Sequence, residues 1–253
     1  MEGKYTTHET KYGKISLYDN EQYIKCNNDI YWDEDNLLKL KEYINPDKNI
    51  LEIGGHVGTS TILYSSFLNK GSYINVYEPQ SAMYKLLVKN IEDNRITNIN
   101  AWNKGLFCYN GSGTLSKNTL DGCIGNVKER LHNQQTCNFA GLSLGKDGET
   151  VTLTTIDDLN LENLGFIHSD AQGSENFIFS KAKETLKKYR PLILYENKEI
   201  YGSYLYDDIC ESYPNDIINE SCNFNIKKYC MEELNYSKCI EKFNGGMDNL
   251  LIP

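Results

Sequence analysis

Short apolar runs alternate with helical stripes along the middle of the chain. Ile50-Leu51-Glu52-Ile53 reads as a buried strand that breaks into Gly54-Gly55-His56-Val57-Gly58, after which Ile62, Leu63 and Phe67 form a helical stripe that stops near Gly71. Ser72 to Tyr77 is a second strand-like run and ends in Glu78-Pro79. A second helix follows, with Ser81 as its cap and Met83, Leu86, Leu87, Asn90 and Ile91 on one face, and Ile96 to Trp102 reads as a third strand. Strand and helix in this rhythm predict a parallel sheet joined by right-handed crossovers.

Further along, regular structure is expected over Val151 to Leu159, then in the apolar strand Leu164 to Asp170, the turn Ala171-Gln172-Gly173-Ser174-Glu175, and one helix carrying Ile178, Ala182, Leu186 and Tyr189. Leu192 to Glu196 is another buried strand, Tyr204 to Tyr213 a helix, and Phe224 to Tyr229 and Asp248 to Ile252 the closing strands. Near the start, Lys14 to Tyr18 suggests one or two edge strands. Asp33 to Asn36 would cap a short amphipathic helix bearing Leu37, Leu40 and Ile44, placed as a lid in front of the main sheet. Asn103 to Thr150 breaks the rhythm, holding eight of the chain's 19 glycines and no helical period, and is expected to be an excursion of the lid or binding-loop kind. Trp102, Phe107, Tyr109 and Phe139 supply aromatic faces near it, either to stack on sugar rings or to pin the loop to the domain. The whole reads as one domain over 1–253: an N-terminal cover (1–48), a first half of the sheet (50–102), a glycine-rich insertion (103–150) and a second half (151–253).

Composition narrows the class. A length of 253 residues, 40% hydrophobic and 24% charged, suits one well-covered α/β domain. A mean hydropathy of −0.55 and the lack of a long apolar run argue against a membrane span. Met1-Glu2-Gly3-Lys4 does not open an apolar signal core, so a cytoplasmic location is expected. The formal net charge of −9 argues against a nucleic-acid partner, which is bound through clustered Lys and Arg, and Lys187-Lys188 with Arg190 and Lys227-Lys228 read as solvated faces. The eight cysteines are scattered without a CxxC pair, which points to reduced, structural thiols and no zinc site.

The chemistry gathers where the strands end. Gly54, Gly55 and Gly58 allow positive φ and close backbone approach, and the N–H groups of the following helix's first turn would face the same crevice, suiting an anionic or carboxylate-bearing ligand. Glu78 lies 20 positions after Gly58, where α/β nucleotide-binding folds carry the acid that holds two ribose hydroxyls. The dinucleotide fingerprint is not met, because His56 and Thr59 stand where its glycines belong. That favours a mononucleoside-like ligand over NAD. The strand assignments place Gly54, Glu78, Trp102, Asp170 and Glu196 at one edge, so polar groups from five runs converge.

Taken together, Glu52 to Gly58, Tyr77-Glu78-Pro79, Thr155-Ile156-Asp157-Asp158-Leu159, Asp170 to Glu175 and Arg190 to Glu196 resemble the FkbM family of S-adenosylmethionine-dependent methyltransferases, from about Ile50 to Glu196. The resemblance implies a Rossmann-like class I methyltransferase fold, a mostly parallel sheet of seven strands with the last antiparallel and helices on both faces. It implies O-methylation of a sugar, glycan or other small hydroxyl-bearing metabolite, with S-adenosyl-L-methionine as cofactor. Glu52, Gly54, Gly55, Gly58 and Asp170 would meet the cofactor, Glu78 its ribose, and Ala101, Trp102 and Asn103 its adenine. The chain departs from the family where His168 replaces a common Lys, Gln172 a frequent Glu, and Gly55-His56 a common Ala-Asn.

An alcohol is a weak acid, so its methylation calls for a positioned base or a metal. Asp170 is the first candidate for that base or metal ligand, followed by His168, His56 and Glu196; no metal site is predicted. His8 and His132 have no such context. The alternatives are a scaffold that binds the cofactor without turnover, motivated by His168 and Gln172, and an RNA or protein methyltransferase, disfavoured by the acidic balance.

Overall fold

The computed structural model describes residues 3–21, 34–119, 125–197 and 203–253. Its strands are β1 (Tyr5–Thr10), β2 (Gly13–Tyr18), β3 (Asn49–Ile53), β4 (Ile74–Tyr77), β5 (Ile99–Trp102), β6 (Gly105–Leu106), β7 (Gly111–Ser116), β8 (Asn118–Thr119), β9 (Gly125–Asn126), β10 (Asp147–Thr154), β11 (Leu164–Ser169), β12 (Leu192–Glu196), β13 (Lys238–Ile240) and β14 (Asp248–Ile252). The helices that matter below are α1 (Glu34–Leu40), α2 (Thr59–Ser65), α3 (Ser81–Asp93), α4 (Val127–Asn133), α5 (Glu175–Ser180), α6 (Lys183–Tyr189), α7 (Ser203–Ser212) and α8 (Asn215–Cys222).

The main sheet has seven strands in the order β13-β14-β12-β11-β3-β4-β5. Only β14 runs antiparallel to its two neighbours, and β5, β4, β3, β11 and β12 pair in parallel. This is the parallel α/β core expected from the alternating runs and the Rossmann-like seven-stranded sheet that the family resemblance implies. Its central strands are apolar on both sides because both faces are covered. On one face Leu51, Ile53, Ile167 and Ile193 pack against Ile178, Phe179 and Leu186 of α5 and α6. On the other, Ile50, Ile74, Phe166 and Leu194 meet Leu63 and Tyr64 of α2 and Leu87 and Ile91 of α3.

Several expectations are corrected. Helix α1 is no lid: Leu37, Leu40 and Ile44 are buried in the core of the second face, beside Phe67 and Phe243. Asp33, expected to cap it, lies outside the described residues. The N-terminal strands form a hairpin of their own, not an edge of the main sheet. Asn90 of α3 holds the hairpin, accepting from the Ser16 N–H at 2.7 Å and donating to the Ser16 and Val57 carbonyls. Ser81 is the first residue of α3 rather than its cap, and its N–H points to the Glu149 carboxylate at 3.2 Å.

The insertion is more regular than its glycines suggested. β6, β10 and β7 form a small sheet that claims Val151–Thr154 for itself, and Leu115, Leu153 and Phe107 pack on Phe177, Ile209, Tyr213 and Ile218. Helix α4 is capped by the Asn126 side chain, which accepts from the Glu129 N–H; none of its residues is fully buried, and only Val127 and Leu131 pack against the core, too short a stripe to announce a helix. The single helix expected over 178–189 is two. Asp157 accepts from the N–H groups of Glu184 (3.2 Å) and Thr185 (2.8 Å), starting α6 anew, while its own N–H donates to the Lys181 carbonyl. Phe224 to Tyr229 is not a strand, because Asn225 caps a helical turn by accepting from the Lys228 N–H.

One residue fixes the join between the halves of the sheet. Gly54 sits at φ +84°, and a Cβ there would lie 1.9 Å from the Asp170 carbonyl oxygen. Gly54→Ala is expected to destabilise the fold by at least about 2 kcal/mol, from left-handed strain and backbone collision together, read as a lowered urea midpoint with an unchanged slope.

Candidate functional site

The turn after β3 folds back onto β4. Gly54 and Gly55 both donate their N–H to the Tyr77 carbonyl, at 2.9 and 3.2 Å. His56, at φ +46°, donates its N–H to Glu78 Oε2 at 2.8 Å. The amides of Gly54, Gly55 and His56 are thus taken up within the protein.

Glu78 is 3% exposed, and its other oxygen accepts from the Gln80 N–H at 2.7 Å. Burial pushes its carboxyl up to about 8, with Asp170 and Glu149 adding repulsion, although the two backbone N–H groups favour the charged form. Burial also pushes His56 down to about 4, against the pull of Asp170, so the imidazole is neutral near neutral pH. Asn103 braces the tip of β4, donating to the carbonyls of Glu78 (2.9 Å) and Pro79 (3.0 Å). Trp102 is 44% exposed and stacks on Tyr77 with centroids 6.3 Å apart. The Ala101 carbonyl accepts from the Tyr84 hydroxyl.

Beside this turn, β11 delivers Asp170 to the edge of the sheet. Its Oδ1 accepts from Gln172 Nε2 at 2.8 Å, and the same amide nitrogen lies 3.2 Å from Glu196 Oε2 at the tip of β12. Gln172 is buried at φ +49° and bridges the two carboxylates. Deeper, Glu52 and His168 are paired in register across β3 and β11. Glu52 is fully buried and accepts from Ser60 Oγ at 2.5 Å, and His168 Nδ1 stands 3.5 Å from the same oxygen. Burial works against the charged imidazole, but Glu52, with Asp248 and Asp170 behind it, outweighs this and raises the His168 pKa.

A cavity of about 70 Å³ lies among Gly54, His56, Glu78, Asp170 and Gln172. Ala140, Leu142 and Leu144 of the insertion line it as well, and Gln80 ties that segment down by donating to the Phe139 carbonyl at 2.8 Å. Small-molecule sites commonly enclose about 300–1,000 Å³, so a nucleoside enters only if this segment shifts. A second cavity, of about 450 Å³, opens beyond Gln172 between Glu175, Glu196 and Tyr206.

The expected residues therefore separate into layers. Gly54, His56, Glu78 and Asp170 share the first cavity, Glu196 lines the second, and Glu52 and His168 lie beneath. Gly55 and Gly58 serve packing, since a Cβ on them would strike Val76 and Leu87. Ala101, Trp102 and Asn103 border β5 outside both cavities. The bridging role of Gln172 and the part played by Gln80 were not read from the sequence. Glu52 Oε2, Ser169 Oγ, Gln172 Oε1 and Ser174 Oγ are buried near these strand ends without a hydrogen-bond partner. Buried polar atoms left this way commonly mark a place where water or ligand belongs.

Among the described residues, no three His, Cys, Asp or Glu side chains are grouped to hold a metal ion, and no helix is long and apolar enough to cross a membrane. Six described cysteines are free thiols; Cys26 and Cys123 lie outside the described residues.

No protein-family model and no curated protein matches the chain. Among solved structures it is similar to an O-methyltransferase from Bacillus cereus in complex with SAH, at 16% identity and a TM-score of 0.47, covering 90% of this chain and 84% of that one. It is also similar to methyltransferase FkbM from Methylobacillus flagellatus KT, at 13% identity and a TM-score of 0.43. That match covers 69% of this chain, which spans only 37% of the longer protein. At identities and TM-scores this low, what those proteins bind or act on belongs to them.

The titrations of Glu78, His56 and His168 bear on how stability follows pH. Glu78 carries a pKa raised by folding, so the stability it gives is full below 4.5 and is lost as pH rises to about 8. His56 carries a lowered pKa, so its contribution is present above 6.5 and lost as pH falls to about 4. Between 4.5 and 6.5 the slopes of Glu78 and His56 oppose; between 6.5 and about 8 the Glu78 contribution declines as pH rises, and that of His168, whose pKa folding also raises, changes in the same direction. Glu78→Gln should flatten that decline, with urea midpoints on either side of the window differing less than in the parent protein.

Proposed function

We propose that the protein is an S-adenosylmethionine-dependent O-methyltransferase acting on a hydroxyl of a sugar, glycan or related small metabolite. The observation that carries this reading is Glu78: a buried carboxylate at the tip of β4, beside the Gly54 turn, in a seven-stranded sheet with a single antiparallel strand. Two of the roughly four lone-pair positions on its oxygens are used by His56 and Gln80, which leaves two for a pair of ribose hydroxyls. The unpartnered Glu52, Ser169 and Ser174 atoms fit a polar, charged ligand in the same place. We assign the methionine portion to the Gly54-Gly55 turn with Glu52 behind it, and the adenine to the Ala101, Trp102 and Asn103 border.

The cofactor supplies an activated methyl group on a positively charged sulphur. The chain's own task is then to align an acceptor oxygen and receive its proton. Asp170 is exposed at the mouth, held by Gln172, and is the group best placed for that proton; Glu196 is the second. His56 is neutral and Glu78-linked, so it orients the turn. His168 is walled in by Tyr64 and Phe166 and stabilises the Glu52 charge from below.

Incubation with isotopically labelled S-adenosylmethionine tests the activity. Label passing to sugars supports it, binding without transfer points to a cofactor-binding scaffold, and label on RNA or polypeptide points to those acceptors. The placement of the ribose is tested by calorimetry. Hydroxyls donate best to an ionised Glu78, so affinity should tighten about tenfold per pH unit up to about 8 and then level off. Glu78→Gln should bind at least about tenfold more weakly at pH 8 and lose that dependence. An unchanged affinity would remove Glu78 from the site.

A further inference from the structure

The larger cavity lies on the far side of Gln172 from the glycine turn, at the ends of β12 and β14, where Glu196 and Asn249 border it. Its volume of about 450 Å³ is in the ordinary range for a small-molecule site. Resting on the methyltransferase reading above, we propose that this cavity holds the methyl acceptor, and that the acceptor is an uncharged or amine-bearing polyhydroxylated molecule, not a phosphate ester.

Three features of the lining carry this. First, Asn176 and Asn225 place carboxamides at the cavity alongside the Glu175 and Glu196 carboxylates. Amides both donate and accept, and carboxylates accept, which is the complement a ring of hydroxyls needs. Second, the charge is wrong for an anion. Glu175 and Glu196 are 4% and 5% exposed, and the one ammonium among the described lining residues, on Lys227, is held by Glu241 in an ion pair. With three carboxylates against one ammonium among the described lining residues, a phosphate would be repelled and a protonated amine attracted. Third, the wall is partly aromatic. Tyr206 is fixed by stacking on Phe177 at 5.2 Å, and Tyr195 by accepting from Asn249 Nδ2 at 3.1 Å. Such rings offer an apolar surface to the C–H face of a sugar.

Gln172 gives the cavity its link to the first site. Its amide nitrogen is shared between Asp170, which lines the first cavity, and Glu196, which lines the second, so one side chain links a wall of each. An acceptor hydroxyl seated against Glu196 is one residue away from the glycine-turn cavity.

Saturation-transfer NMR on the whole protein, with glucose, glucosamine and glucose 6-phosphate as probes, tests the proposal. Glucosamine should bind about threefold more tightly than glucose, the effect of one partly screened charge, and glucose 6-phosphate should give no signal. Asn176→Phe, which fills the cavity, should weaken glucosamine binding by at least about tenfold while S-adenosylmethionine affinity, measured by calorimetry on the same sample, is unchanged. Asn176→Leu, a milder change, should weaken it in the same direction. Binding of glucose 6-phosphate as tight as that of glucosamine, silence from all three probes, or indifference to both variants overturns the proposal. Cofactor binding with no sugar binding overturns this inference alone; sugar binding without cofactor binding overturns the methyltransferase reading.

Discussion

A carboxylate without water around it must be held by something, and Glu78 is held by the N–H groups of the two segments on either side of it. The His56 N–H comes from the turn after β3 and the Gln80 N–H from the start of α3. One side chain therefore sets the spacing between the first two crossover connections. Its influence runs further, because Gln80, fixed at its backbone by Glu78, uses its side chain to hold the Phe139 carbonyl. Phe139 is fully buried and meets Tyr18 of the hairpin edge-on at 5.9 Å. The acid at the tip of β4 is thus coupled to the hairpin and to the insertion.

A second carboxylate system faces the first across Gln172. Asp170 and Glu196 stand at the ends of adjacent parallel strands, where uncompensated negative charge would accumulate. Gln172, at φ +49°, sets one amide donor between them, 2.8 Å from Asp170 Oδ1 and 3.2 Å from Glu196 Oε2. A glutamate at that position would bring a third negative charge between them. The departure from the resembled family at Gln172 therefore has a local electrostatic sense. One layer down, His168 faces the buried Glu52.

How much of this was legible in the sequence follows from what each residue answers to. Ile50, Ile74, Phe166 and Leu192 answer to burial between two helical layers, and an apolar run announces that directly. Glu78 was legible from its distance to Gly58, because strand and crossover helix lengths fix that spacing. The break between α5 and α6 was not, because Ile178, Ala182 and Leu186 keep one helical period across it and the cause sits on Asp157, more than twenty residues earlier. Leu37 and Leu40 gave the helix but not its place, since an amphipathic stripe states that a face is buried without stating against what. The bridge made by Gln172 joins groups from two strand ends, and its positive φ is one that a glutamine does not advertise.

The closeness of the first cavity bears on how a ligand enters. The segment over it is fixed at two posts: Phe139, through Gln80, and Ser143 to Gly145, whose backbone joins β7 through the Ser143 carbonyl to the Ser116 N–H and the Gly145 N–H to the Thr114 carbonyl, each at 2.9 Å. Between the posts stand only Ala140, Gly141 and Leu142. Of these, Gly141 donates no further than Asn138, while Ala140 and Leu142 are half-buried. Displacing Ala140 and Leu142 enlarges the space over Glu78 without breaking either post, at the cost of the packing of Leu142 on the Phe107 and Leu115 cluster, whereas moving Leu144 would also break its backbone bridge to the buried Leu115. Each backbone bond at the posts is worth about 1 kcal/mol, so the three-residue span yields before the posts do. Whatever energy that displacement takes is subtracted from the affinity of the ligand that causes it. A site arranged in this way sheds water from Glu78 when closed, and that same burial raises the acid's pKa until a hydroxyl donor arrives to favour its charge.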